Sequence, residues 1–252
     1  MGTNAELRQN GAVIRFDASF LDPFVPRLFE VDWLRANGYH EGSAKGRSQA
    51  HFLNFEDRHM VLRKFLRGGL IGKFNRDLFL RMGKAKSRAM LEFDLLRWMH
   101  AKDLPVPRPV AARYTPSGPF YRADIITERI PDARPLEDVL RETSLYTPTW
   151  RAVGATIKRL HDHGVFHSDL NCRNILIDRD ETIWIIDFDK CEIRGPGNWM
   201  TQNLDRLLRS FRKGNARPLG LHWDDEAWSH LLAGYSGSAQ GNSDGTVDTP
   251  SV

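Results

Sequence analysis

The sequence predicts an α+β fold in two lobes, an N-terminal antiparallel sheet with one helix followed by a mostly helical C-terminal lobe. Two observations lead there. Up to about residue 127 the chain alternates short apolar strand patterns around one strongly periodic helix, and beyond Pro131 helical periodicity dominates. Between them, Thr127-Glu128-Arg129-Ile130-Pro131 interrupts the periodicity, as a connection between lobes does. The expected division is 1–127 for the N-terminal lobe and 128–235 for the C-terminal lobe. The segment 236–252, small and polar, is expected to be disordered. A chain of 252 residues can bury a core as one domain or as two small lobes.

In chain order, Val13-Ile14-Arg15-Phe16 reads as a strand and Leu28 to Ala36 as a short helix. Gly42 to Ser48 is expected to be a turn whose Gly42 and Gly46 let backbone amides approach phosphate. His51 to Phe55 and Met60 to Phe65, joined by the polar Glu56-Asp57-Arg58, form a hairpin. From Arg88 to Met99, Leu91, Leu95 and Trp98 fall at helical spacing, and the helix stops before Pro105-Val106-Pro107-Arg108-Pro109. Tyr121 to Glu128 is a strand and Pro135 to Leu140 a helix. Trp150 to His161 is an amphipathic helix with Val153, Ile157 and Leu160 inward. Asn174 to Asp178 and Thr182 to Asp187 form a second hairpin, and helices follow near 204–212 and 224–232.

Composition narrows the setting. There is no run of 18 apolar residues and no basic segment feeding an apolar one at the N-terminus, so neither a membrane span nor a secretory signal is expected. Cys172 and Cys191 are too few for a disulfide framework or metal cluster and are expected to be reduced thiols. The net charge of +4 is unevenly spread. Arg58, Arg63, Lys64, Arg67, Lys73, Arg76, Arg81, Lys84, Lys86 and Arg88 face one acid, Asp77, across 58–88, interleaved with Phe74, Leu78 and Phe79. Such a run suits an anionic lipid surface, a nucleic acid or a phosphorylated substrate. No helix-turn-helix or zinc-finger spacing accompanies it, so nucleic acid is not the expected partner.

The chemistry concentrates in His167-Ser168-Asp169-Leu170, Asn174 and Asp187-Phe188-Asp189. This resembles the protein-kinase pattern H-R-D-L followed by Asn and D-F-G, with Ser168 for the usual Arg and Asp189 for the usual Gly. Asp169 is then the general base or hydroxyl-orienting carboxylate, and Asn174 and Asp187 supply oxygen ligands for magnesium. His167 is expected to support the loop. Asp189 is either a further metal or substrate-orienting carboxylate, or it caps a turn or pairs with Lys190. From the sheet, Arg63 or Lys64 is the phosphate clamp; if Val61 and Arg63 share the nucleotide face, Lys64 points away. Glu92 either holds that cation or pairs with Arg88 one turn back. Glu128, at the lobe connection, offers its backbone to adenine. Lys190, Arg194 and Arg206 are candidate contacts for an anionic acceptor.

Val61-Leu62-Arg63-Lys64-Phe65-Leu66-Arg67-Gly68-Gly69-Leu70, Glu92, Leu104-Pro105-Val106-Pro107-Arg108-Pro109, HSDLNCRNILI and WIIDFDK together resemble the lipopolysaccharide kinase family, and within it the kinases of Kdo (3-deoxy-D-manno-octulosonic acid). The similarity runs from about Gly38 to Lys213. It implies a protein-kinase-like fold using ATP and Mg2+ to phosphorylate the 4-hydroxyl of a Kdo residue on a lipid A precursor. It also implies peripheral attachment at the cytoplasmic face of a bacterial inner membrane. By that resemblance Arg67, Lys73, Arg76 and Arg81 attract anionic headgroups while Phe74, Leu78 and Phe79 enter the interface; no obligate protein partner is indicated. The competing expectations are a small-molecule kinase of aminoglycoside or choline type and a non-catalytic lipid-binding pseudokinase.

Overall fold

A computed structural model of the chain describes residues 4–44, 50–66, 77–80, 83, 87–216 and 220–237. The first strands, β1 (Asn4–Gln9) and β2 (Ala12–Asp17), are a hairpin closed by Asn10-Gly11, both at positive φ. After a 3-10 turn (Pro26–Phe29) and α1 (Val31–Ala36) come β3 (His40–Ser43), β4 (Ala50–Phe55), β5 (Arg58–Lys64) and the two-residue β6 (Phe79–Leu80). Then α2 (Arg88–His100), β7 (Pro109–Ser117) and β8 (Phe120–Glu128) complete the unit. The strands form one antiparallel sheet in the order β1-β2-β7-β8-β5-β4-β3, with β6 also on β8. Gly42, expected in a turn, lies inside β3 at φ +145°, where the register to β4 shifts. Gly46 lies outside the described residues.

Strand alternation separates two tasks in β5. Met60 and Leu62 point into a core shared with Leu28, Phe29 and Leu34, whereas Val61, Arg63 and then Phe65 point to the opposite face. That opposite face is covered by α2, whose Phe93, Leu96 and Met99 are fully buried against Ala112, Tyr114, Ala123 and Ile125. Each such side chain contributes roughly 1.5–3 kcal/mol, enough to fix the helix on the sheet. Ser87 makes no side-chain cap, and the Tyr121 hydroxyl accepts from the first helical amide, Arg88 N, at 3.3 Å.

Beyond Glu128 come β9 (Arg134–Pro135), α3 (Leu136–Glu142), α4 (Thr147–Asp162) and β10 (Val165–Phe166). The hairpin β11 (Ile175–Ile177) and β12 (Ile183–Ile185), the short β13 (Glu192–Ile193), α5 (Trp199–Asn215) and α6 (Asp225–Ser236) follow. Helix α4 buries Trp150, Val153, Ile157 and Leu160. It meets α6 where Gly154 and Gly234 let the two backbones touch. Helix α6 runs on to Ser236, ending in the left-handed Gly237; 238–252 lie outside the described residues.

Candidate active site

The loop from His167 to Asn174 is fixed from below by α5. The Asn203 amide grips the His167 backbone twice, accepting from its N–H at 3.1 Å and donating to its carbonyl at 3.0 Å. Two turns further, the Ser210 hydroxyl accepts from Cys172 N at 3.1 Å. His167 is buried, and burial pushes its pKa below the ordinary value, so the ring is neutral near pH 7. Its Nε2 donates to the Ile186 carbonyl at 3.1 Å, leaving Nδ1 to accept from Asp169 N at 3.2 Å. One ring thus ties the loop carrying Asp169 to the strand end carrying Asp187.

Asp169 itself is half exposed. Its carbonyl accepts from the Asn171 and Asn174 amides, at 2.8 and 3.0 Å. Its Oδ1 accepts from Arg206 Nε at 3.0 Å and Nη2 at 2.6 Å. The β11–β12 register, extended by Ile186 N donating to the Asn174 carbonyl at 2.9 Å, sets Asn174 beside the approach to Asp187. Because the Asn174 nitrogen is held by Asp169, its amide oxygen is left for a ligand. Asp187 sits at φ +66° with its side chain 38 % exposed.

From the sheet, Arg63 enters this array. It donates to Asp187 Oδ1 at 2.8 Å and to Glu92 Oε1, and lies 4.6 Å above the Phe65 ring. Burial alone would lower the guanidinium pKa, but Glu92 and Asp187 more than offset it, so Arg63 stays charged. Burial pushes the Glu92 carboxyl up, with Arg63 opposing. Lys64 points to the other side of the sheet. It lines a cavity of about 570 Å³ with Arg27, Trp33, Arg35 and His51.

Two expectations are corrected. Asp189 is paired with Arg88 rather than with Lys190: Arg88 holds both of its carboxylate oxygens, Nε to Oδ1 at 2.7 Å and Nη2 to Oδ2. Its carbonyl accepts from the Ser168 hydroxyl at 2.6 Å, which gives the residue in the usual Arg position a positioning task. The basic run is also not a uniform surface, since Arg63 and Arg88 turn inward. Phe79, expected at a membrane interface, is buried 5.5 Å from the Tyr121 ring and under Arg88. Leu80 beside it is 61 % exposed. Arg67, Lys73, Phe74, Arg76, Arg81, Lys84 and Lys86 lie outside the described residues.

Val61 is half buried on the Arg63 face. At the lobe connection the Glu128 and Arg129 amides are already bound to the Arg108 and His59 carbonyls, at 2.8 and 2.9 Å, which leaves neither amide for a base. Both thiols are unpaired, and burial raises them to about 11 for Cys172 and about 12 for Cys191, so both are protonated near neutrality. Sequence reasoning missed Arg88 as a partner of the Asp-Phe-Asp segment. Only its helix face was legible: Arg88 lies one helical turn before Glu92 and therefore on the same side, while the pairing with Asp189 is distant in sequence.

The sheet with its covering helix, the helical second lobe and the loop pair around Asp169 and Asp187 define a phosphotransferase of the protein-kinase-like fold. The model of the lipopolysaccharide kinase (Kdo/WaaP) family matches residues 31–235, and the chain belongs to that family. It is 39% identical to a 3-deoxy-D-manno-octulosonic acid kinase of Vibrio parahaemolyticus over 92% of this chain and 97% of that protein. The corresponding enzyme of Photobacterium damsela is 45% identical, over 75% and 79% of the two chains. That of Haemophilus influenzae is 38% identical, over 88% and 95%.

Proposed function

We propose that this chain transfers the γ-phosphate of ATP to a hydroxyl of a Kdo residue, the 4-hydroxyl, on a lipid A precursor. The observation that carries the reading is the contact of Arg63 with both Glu92 and Asp187, beside the Asp169 loop. A strand cation, a helix carboxylate and a metal-loop carboxylate joined in this way suit nucleotide phosphates and little else. The acceptor comes from relatives that share 38 to 45% of their residues with this chain and are named as kinases of that sugar acid.

The donor set fits magnesium. Asn174 Oδ1 and the Asp187 carboxylate are oxygens only, and among the described residues no three His, Cys, Asp or Glu side chains form a ready-made cage. Mg2+ takes one or two protein oxygens and completes its shell with water and phosphate. When bound there, it would supply positive charge that offsets the negative charge developing on the transferred phosphate. Arg63, oriented by Glu92, adds fixed positive charge to the phosphates, and Val61 covers the base from the sheet. The carbonyl side of Glu128 borders the base, and Gly42 in β3 approaches the phosphates. Asp169 orients the acceptor hydroxyl and takes its proton as the new P–O bond forms and the bond to the bridging oxygen breaks, releasing ADP. Asp189 belongs to the loop's support rather than its ligand set. The lobe divide falls where β8 ends, near 127 and 128.

No helix among the described residues is long and apolar enough to cross a membrane. A lipid-linked acceptor places the reaction at the inner-membrane surface, reached peripherally from the cytoplasmic side with the help of the basic run. The test offers ATP and Mg2+ with Kdo-bearing lipid IVA, an aminoglycoside or choline. Phosphate on the lipid alone is expected. Phosphate on the amino sugar or choline would replace the reading, and lipid binding without turnover would favour the pseudokinase.

A further inference from the structure

We infer that Arg206 is the acceptor-recognition residue of this site, binding an acceptor carboxylate next to the hydroxyl that Asp169 activates; this rests on the sugar-acid reading above. Three residues of α5 face the catalytic loop at helical spacing, Asn203, Arg206 and Ser210. Asn203 and Ser210 bind loop backbone and are spent on holding it. Arg206 alone of the three reaches the Asp169 side chain.

The geometry of that contact is selective. Both Arg206 nitrogens converge on Oδ1 of Asp169, at 3.0 and 2.6 Å. Asp169 Oδ2 and Arg206 Nη1 have no partner among the described residues, so a hydroxyl can meet Oδ2 while the guanidinium still presents donors to a second group. The two side chains are 54 % and 45 % exposed, and such exposed pairs are held weakly. A guanidinium fork matches a carboxylate in two parallel hydrogen bonds. The other candidate cations are less suited: Arg194 is paired with Glu192 at 2.6 Å and stacked 3.6 Å over the Phe166 ring. Lys190 presents only a point charge, from a residue at φ +60°. Arg206 therefore couples two features of a sugar acid, the hydroxyl to be phosphorylated and the carboxylate that distinguishes it from a neutral sugar.

The experiment compares Kdo-bearing lipid IVA with its carboxyl methyl ester, using wild type, Arg206→Lys and Arg206→Ala, with the KM for ATP as the check on folding. Wild type is expected to prefer the acid by about 100-fold in kcat/KM, in the range a lost charge-assisted hydrogen bond gives. Arg206→Ala should lose far more activity on the acid than on the ester, so that the preference collapses, chiefly through acceptor KM. Arg206→Lys should restore part of it. Equal losses on acid and ester, or a preserved preference in Arg206→Ala, would overturn the inference and reduce Arg206 to a support for Asp169. A wild type inactive on both lipids but active on another acceptor would instead overturn the sugar-acid reading, and this inference with it.

Discussion

Arg88, the first residue of α2, holds both carboxylate oxygens of Asp189. The same helix carries Glu92, which holds Arg63 and through it Asp187. Helix α2 is thus joined to the Asp187–Asp189 segment at two points one turn apart, and Asp189 serves as a lock where a glycine would leave that segment free to swing.

Breaking that lock should uncouple the helix from the loop. Asp189→Gly or Arg88→Ala is expected to lower kcat about 10- to 100-fold and raise the Mg2+ concentration needed for half-maximal rate, with the acceptor KM little changed. Steady-state kinetics over a Mg2+ series checks it. An unchanged Mg2+ dependence would remove Asp189 from the positioning of Asp187.

The alternation along β5 gives the next expectation. Arg63→Ala removes the centre of a three-charge array and leaves the buried Glu92 without its partner, a kind of loss that costs about 3–5 kcal/mol. Its turnover should fall by at least about 100-fold and its Tm should drop. Lys64→Ala, on the opposite face, should stay within about twofold of wild type in both assays. Equal activities would mean that the face assignment is wrong.

His161 sets a pH limit on stability. It is buried in α4, with Nδ1 2.8 Å from the Tyr235 hydroxyl and its ring against Trp199, and burial lowers its pKa to about 4. The unfolded chain, with an ordinary value near 6.5, binds the proton first as pH falls. Stability is therefore full above about pH 6.5 and lost toward pH 4, by roughly 2–3 kcal/mol from this group. His167, lowered in the same direction, adds to the slope. Urea unfolding across that window should show a steep fall in wild type and a shallower one in His161→Phe.

The α4–α6 crossing predicts an unusual sign. Alanine is the better helix former by about 1 kcal/mol, so Gly154→Ala and Gly234→Ala would ordinarily stabilise. Here a Cβ on Gly154 would overlap the Leu231 carbonyl oxygen and lie 2.7 Å from Tyr235 N, and one on Gly234 would lie 2.6 Å from Arg151 Cα. These are backbone atoms, so the helices must separate, at a cost of about 1–3 kcal/mol or more. Calorimetry should find a lower Tm for both variants; a higher Tm would contradict the close crossing.

Much of the site was legible because the reaction demands particular residue types at short spacing. Asp169, Asn174 and Asp187 lie on two loop ends that one hairpin joins, and Arg63 follows from the alternation of β5. What escaped depends on contacts distant in sequence. Nothing local links Arg88 to Asp189, 101 residues away, or shows that Asn203 and Ser210 hold the catalytic loop. Strand β1 was missed because its side chains are largely exposed and polar, although Asn10-Gly11 is a strong hairpin signal. Gly42 was read from composition alone, whereas pairing with β4 draws it into a strand.

The most direct measurement is ATP- and Mg2+-dependent phosphate transfer to Kdo-bearing lipid IVA, followed by mass spectrometry of the lipid, for wild type beside Asp169→Asn. One added phosphate on the Kdo residue, lost in Asp169→Asn while nucleotide binding persists, is the expected result. Undiminished transfer by Asp169→Asn, or none by a folded, nucleotide-binding wild type, would contradict the account.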